Sequence, residues 1–181
     1  MDDPSRRERF ETTILVHLDA AHNLARWVLR DDAAAEDVVQ DASVRAFRFF
    51  DDMLGPTPKA WFMAIVRRAC LDWLGRARRR GIEESYDDAK HGVAVLDAAG
   101  AAESPESLAI RSADIRQLHA CLEALPREFR EVLILREMEE LSYREISAVV
   151  GIPIGTVMSR LARGRDQLAQ RMRAPGTRKK S

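Results

Sequence analysis

Apolar positions recur at helical spacing through almost every ordered-looking stretch of this chain. Phe10, Ile14, Leu15, Leu18, Leu24, Ala25, Val28 and Leu29 form one long amphipathic pattern that ends at Asp31-Asp32. A second helix is expected from about Ala34, with Val38, Val39, Ala42, Ala46, Phe47 and Phe50 on its apolar side. Its other side offers Asp37, Gln40, Asp41, Arg45 and Arg48 to solvent or to a partner. Asp51 to Pro58 holds two prolines and a glycine and is predicted as a loop. A third helix then carries Trp61, Phe62, Ile65, Val66, Ala69, Leu71 and Trp73 into the basic run Arg76-Ala77-Arg78-Arg79-Arg80.

Gly81 to Glu103 breaks the pattern: it is acidic, rich in Ala, Gly and Asp, and shows no sustained period. A structureless loop this long argues against one compact domain. Ser104-Pro105-Glu106 supplies a cap, a first-turn proline and an N-terminal acid, and four helices should follow over about 105–123, 127–138, 143–150 and 153–172. No internal repeat and no strand pattern stands out. The expected fold is all-α: two small helical domains over 5–80 and 105–173, a flexible acidic linker over 81–104, and a basic tail over 174–181.

The most informative run lies between Leu141 and Arg165. Ser142 and Glu145 have capping-box spacing, so a helix should open at Tyr143 and place Ile146, Val149 and Val150 on one side. Gly151 suits the left-handed turn that ends it. Pro153 suits the first turn of a second helix, because its missing N–H has no intrahelical partner there. Two short helices joined by a tight glycine turn describe a helix-turn-helix. At about 100° per residue, Val157, Leu161, Gly164 and Leu168 face inward. Ser159, Ala162, Arg163 and Asp166 face outward, with Thr156 close by and Arg160 and Arg165 flanking the inward stripe. A small hydroxyl, a small apolar group and an arginine on one face suit a major groove, while flanking arginines hold phosphates.

Charge strengthens this picture. The chain has 29 basic and 29 acidic residues, yet they are segregated. The balance is −5 over residues 1–58, +6 over 59–81, −6 over 82–110, −2 over 111–150 and +7 over 151–181. Two basic patches, each at the end of a helical block, look like two footprints on a polyanion. Cys70 and Cys121 lack the close pairing of a zinc or redox motif, which points to a reduced cytosolic protein. Met1 to Arg9 does not read as a signal peptide, and no stretch approaches the roughly 20 apolar residues that span a bilayer. His17, His22, His91 and His119 are scattered, and no Ser, His and acid set forms a hydrolytic motif. Neither a metal, a cofactor nor an enzymatic activity is expected.

Once both blocks are set out, their strings resemble those of the extracytoplasmic-function sigma factors of bacterial RNA polymerase. Ala124-Leu125-Pro126-Arg127-Glu128-Phe129-Arg130-Glu131-Val132, Leu141-Ser142-Tyr143-Arg144-Glu145-Ile146, and Gly151 through Leu161 resemble the family's region 4. Ala34 through Asp41 resembles region 2.2, and Lys59-Ala60-Trp61-Phe62 through Arg67 and Asp72 resembles regions 2.3 and 2.4. The resemblance implies a detachable specificity subunit that joins core polymerase, places it on promoter DNA and helps open the duplex. Region 2 would dock on the β′ clamp helices and read the −10 element; region 4 would sit on the β flap and read the −35 element. The acidic linker would thread toward the active-site channel. Members are usually held by an anti-sigma protein until a signal arrives.

Carried over residue by residue, the resemblance makes Asp37, Gln40 and Asp41 the polymerase-docking set. The exposed part of Phe50 to Lys59 would form a pocket for an extruded −10 base, with Trp61 beside it and Arg67, Arg68, Arg76 and Arg79 tracking phosphates. Ser159 and Arg163 hold the base-reading positions of region 4, while Arg144, Thr156, Arg160 and Arg165 suit phosphates. The family usually has Asn at Arg68, often a basic residue at Gly75 and at Met158, and frequently Ala at Gly164. Two other readings fit part of the pattern: a one-component helix-turn-helix regulator, and a sigma-like adaptor that titrates an anti-sigma protein. The first leaves the basic patch after Trp61 unexplained, and the second has no use for DNA-reading arginines.

Overall fold

A computed structural model describes residues 4–81 and 105–173. All regular structure among them is helical: α1 Pro4–Thr13, α2 Leu18–Leu29, α3 Asp32–Arg48, α4 Pro58–Arg79, α5 Pro105–Glu123, α6 Arg127–Leu133, α7 Tyr143–Val150 and α8 Ile154–Arg173. The segments expected to be linker and tail lie outside the described residues.

The single long pattern expected before Asp31 is broken in two. After α1, Thr12-Thr13-Ile14-Leu15-Val16 crowds β-branched side chains into one turn, and the chain tightens into a 3₁₀ turn over Leu15–His17 before α2 begins. α2 ends at Arg30 in the left-handed conformation (φ 57°). Asp31 then caps α3, its carboxylate accepting from the Ala34 N–H at 2.9 Å. The loop predicted over 51–58 is shorter than expected. Phe50–Asp52 forms a 3₁₀ turn, and Pro58 is already the first residue of α4, behind the Thr57 cap. α2, α3 and α4 close over Ala21, Leu24, Leu29, Val39, Phe62, Met63 and Val66, all buried.

The second lobe follows the expected order with two changes. The helix expected over 127–138 is regular only to Leu133, then widens into a π turn over Ile134–Met138. Pro153 lies just ahead of α8, where its carbonyl accepts from the Thr156 and Val157 N–H groups at 2.9 and 3.1 Å. The capping box forms as read. Ser142 Oγ accepts from the Glu145 N–H, and the Glu145 carboxylate accepts from the Ser142 N–H at 2.8 Å. Gly151 sits at φ 73°, a conformation that any Cβ would strain. α7 and α8 cross at 100°, and the Ser147 hydroxyl donates to the Ile152 carbonyl at 2.6 Å across their turn. Gly164 has a reason to be small: a Cβ there would stand 3.0 Å from Leu133 Cδ1 and 3.3 Å from Phe129 Cβ, so α8 lies directly on α6. Among the described residues no single helix is long and apolar enough to cross a membrane.

The reading as two joined domains omits one feature. The lobes pack on one another, with α4 against α7 and α2 against α6, and their buried side chains form one continuous apolar cluster.

Candidate nucleic-acid and polymerase interface

Three surfaces carry the residues singled out by sequence. On α3, Asp37, Gln40 and Asp41 are all exposed on one side, because Ala35, Val38, Val39 and Ala42 hold the other side in the core. Val44 continues this exposed face one turn on, although it is apolar. Its position three residues after Asp41, four after Gln40 and seven after Asp37 was the available signal. Two carboxylates, an amide and an apolar group in one row suit a protein surface bearing basic and polar groups.

On α4 the five predicted residues split. Trp61, half-buried, lies on the same helix row as Arg68 and Arg79, and Arg76 stands close to that row. Arg68 is exposed and pairs with Asp72 one turn on at 3.4 Å. Arg76 and Arg79 are exposed at the basic end. Leu54, at the tip of the preceding loop, is 82% exposed. Arg67 turns away from this row. It makes a two-pronged ion pair with Glu131 of α6, whose side chain is only 2% exposed. The Glu131 carboxylate reaches into the first lobe: burial pushes the Cys70 thiol up to about 12, and Glu131 adds to that rise.

The outward side of α8 in the helix-turn-helix is open to solvent. Val157, Leu161 and Gly164 are buried under α8, while Ser159, Ala162 and Arg163 are exposed, and Thr156 is half-buried. Met158 is exposed beside them. Arg144 is exposed on α7. The two flanking arginines are held in place by acids of the second lobe. Arg160 reaches Glu128 at 3.4 Å, and Arg165 bonds Glu137 at 2.6 Å. That bond raises the Arg165 pKa above its ordinary value.

In sequence and overall fold the chain is similar to proteins of known family. The profile of sigma-70 region 2 matches residues 14–80, and that of sigma-70 region 4 matches residues 115–168. The chain belongs to the sigma-70 family. It is 32% identical over 169 residues to the ECF RNA polymerase sigma factor SigE of Mycolicibacterium smegmatis, covering 92% of this chain and 62% of the relative. It is 32% identical over 139 residues to the ECF RNA polymerase sigma-E factor of Escherichia coli, covering 73% of this chain and 70% of that one. The fold resembles the sigma factor RpoE of Bartonella quintana, solved in complex with the anti-sigma factor NepR. There the TM-score is 0.63 and the identity 27%, over 88% of this chain and 94% of that one. CnrH, solved with the cytosolic domain of CnrY, shares the fold with a TM-score of 0.59 at 21% identity, over 91% of this chain and 87% of that one. Within the family, α1 to α4 contain region 2 and α5 to α8 contain region 4.

Proposed function

We propose that this chain is an extracytoplasmic-function sigma factor that directs promoter-specific initiation by bacterial RNA polymerase. The observation that carries the reading is the pairing of two surfaces on one chain: a helix-turn-helix with Ser159, Ala162 and Arg163 free to enter a major groove, and an acidic row at Asp37, Gln40 and Asp41 with no partner among the described residues. A DNA reader without a polymerase would need only the first.

Asp37, Gln40, Asp41 and Val44 dock on the β′ clamp helices, and region 4 rests on the β flap. Trp61 and the loop before α4 receive an unstacked −10 base, a contact of about 1–3 kcal/mol per stacked base, while Arg67, Arg68, Arg76 and Arg79 track phosphates. In the −35 element Arg163 bonds a guanine edge, a contact worth about 1–3 kcal/mol of discrimination. Arg144, Thr156, Arg160 and Arg165 fix the register on phosphates. Region 2 occupies 5–80, region 4 occupies 105–173, and the acidic stretch between them lies in the polymerase channel. The chain contributes recognition and no bond-making chemistry, works in the cytoplasm, and is restrained by an anti-sigma protein, as its likeness to RpoE bound to NepR supports.

The test is in-vitro transcription with core polymerase on a random promoter library. Defined start sites preceded by a common pair of upstream elements are expected. Absence of initiation from every template overturns the reading.

A further inference from the structure

Polar pairs bridge the seam between the lobes. Thr57 Oγ1 donates to Glu145 Oε1 at 2.6 Å while still capping α4, so the N-termini of α4 and α7 interlock. Lys59 Nζ lies 3.2 Å from the Glu139 carboxylate, which also accepts from Asn23 Nδ2 at 2.6 Å. Arg67 pairs with Glu131. Around Trp27 the junction changes character. A cavity of about 350 Å³ opens there, walled by Trp27 of α2, Leu118 and His119 of α5, Leu133 of α6, Met138 of the π turn and Leu168 of α8. The π turn shapes part of this wall. Its Glu139 N–H bonds the Ile134 carbonyl five residues back at 3.1 Å, which widens the helix where Ile134, Glu137 and Met138 line the cavity. Such turns concentrate at functional sites.

We propose that this cavity binds a small, neutral, largely aromatic molecule of about two rings that carries one N–H or O–H donor. Size sets the first limit. An apolar cavity of about 150 Å³ takes up benzene, and small-molecule pockets begin at about 300 Å³. The lining sets the second. Trp27 and His119 stand with their ring centroids 5.2 Å apart and their planes at 38°, so an incoming ring meets aromatic partners. Met138 adds a polarisable thioether, a favourable neighbour for a ring.

Charge sets the third limit. Arg165 answers the Glu137 charge, with Nε and Nη2 both bonding Oε1 at 3.0 and 2.6 Å, which leaves Oε2 able to accept from a ligand's donor. No Lys or Arg lines the cavity among the described residues. An anion would therefore lose its hydration beside a carboxylate and gain no cation, whereas a neutral donor gains a hydrogen bond. A partner protein fits less well. Of the large apolar side chains exposed among the described residues, only Leu118, at 38%, belongs to the cavity, and its α5 neighbours Arg116 and Gln117 are exposed polar groups. Specific protein interfaces cover about 800 Å² on each partner, but here the apolar surface ends at the mouth.

The experiment titrates the full chain with N-phenyl-1-naphthylamine, a neutral fluorophore of matching size whose emission rises in apolar surroundings. A parallel titration uses 8-anilino-1-naphthalenesulfonate, the same ring skeleton bearing a sulfonate. Saturable one-to-one binding of the neutral dye is expected, with a dissociation constant of about 100 μM or tighter. The sulfonate should bind at least about ten-fold more weakly. Leu118→Trp narrows the mouth and should weaken the neutral dye about ten-fold, whereas Val16→Ser, at a 65% exposed apolar site on the first lobe, should not. Because Leu118→Trp could disturb α5, methyl NMR of the unaltered chain gives a second measure. The Met138 and Ile115 methyls should shift on adding the neutral dye, while those of Met53, Met63 and Met158 stay in place. A titration that does not saturate, equal affinity for the sulfonate, an unweakened Leu118→Trp, an equal loss in Val16→Ser, or shifts confined to methyls outside the cavity overturns the site. The site does not rest on the promoter reading: failed initiation with core polymerase leaves it standing, and failed dye binding leaves that reading intact.

Discussion

α4 and α8 are both long helices ending in arginines, and by composition they could exchange roles. The structure treats them differently. α8 keeps its reading face in solvent and uses acids of its own lobe, Glu128 and Glu137, to hold the arginines at the face's edges. α4 leaves Arg68, Arg76 and Arg79 outside but gives Lys59 and Arg67 to acids of the other lobe. One helix is preset for its ligand and the other is partly occupied. Charge alone does not make a binding surface: the position of the opposing charge decides whether an arginine is poised or engaged. The largest expected effect follows from that contrast. Arg67→Ala strands a carboxylate at 2% exposure and should cost the closed chain about 3–5 kcal/mol, as a buried pair does when one partner is removed. Once the lobes separate Glu131 regains water, so the loss seen in urea denaturation is capped by the cost of opening the seam. A loss under about 1 kcal/mol in that titration would mean that α4 is no more occupied than α8.

On α8 the cost should fall on selectivity. Arg163→Ala should lose about 1–3 kcal/mol at a single base pair of the −35 element, leaving other positions unchanged. Arg76→Ala on α4 should instead weaken promoter binding uniformly and reduce the salt slope by about one. Binding of the polymerase holoenzyme to a set of singly substituted promoters separates the two. A uniform loss for Arg163→Ala would show that it holds phosphate.

These differences bear on what the sequence could reveal. The helix-turn-helix was legible because its rules are local: a capping box joins residues three apart, Gly151 needs one backbone angle, and the inward stripe repeats every turn. The acidic row on α3 was legible for the same reason. The break after α1 is also local, but a continuous apolar pattern concealed it, since Ile14 and Leu15 keep the period through the 3₁₀ turn. The seam was not legible. Its partners are 64, 88 and 116 residues apart, and polar groups leave no periodic trace. One signal was present. Phe129-Arg130-Glu131-Val132-Leu133 places two charges in a stretch that is buried on every side, which makes sense only if each finds a partner. Arg130 finds the Glu123 carbonyl at 2.9 Å within its own lobe, and Glu131 finds Arg67 in the other.

A smaller effect is expected where the two N-termini interlock. Burial acts to raise the Glu145 pKa, but hydrogen bonds from Ser142 and Thr57, with the charge of Lys59 nearby, outweigh it and leave the pKa below its ordinary 4.5. A carboxyl with a lower pKa folded than unfolded adds stability above its unfolded value, and that contribution disappears as pH falls through the folded one. Thermal stability should therefore drop below about pH 4.5, in part through Glu145, and Glu145→Gln should flatten that limb of the profile while lowering the plateau at neutral pH. An unchanged acid limb would show that the interlock carries no weight in the closed chain.

The smallest effect tests the exposed row of α4. Arg68 pairs with Asp72 one turn on, but its side chain is 76% exposed, so water screens the pair and Arg68→Ala should change stability by less than about 1 kcal/mol. The residue should matter only when DNA is present, where losing one phosphate contact lowers the salt slope by about one without altering sequence preference. Arg68→Asn, which restores the residue usual in the family, offers the finer comparison. It removes the charge but keeps a hydrogen-bonding group on the helix row of Trp61, two turns away. If Arg68→Asn changes which −10 base is preferred whereas Arg68→Ala does not, the position reads a base edge rather than a phosphate. α4 would then carry its selectivity on the exposed row and its electrostatic grip in the seam, while α8 combines both on one open face.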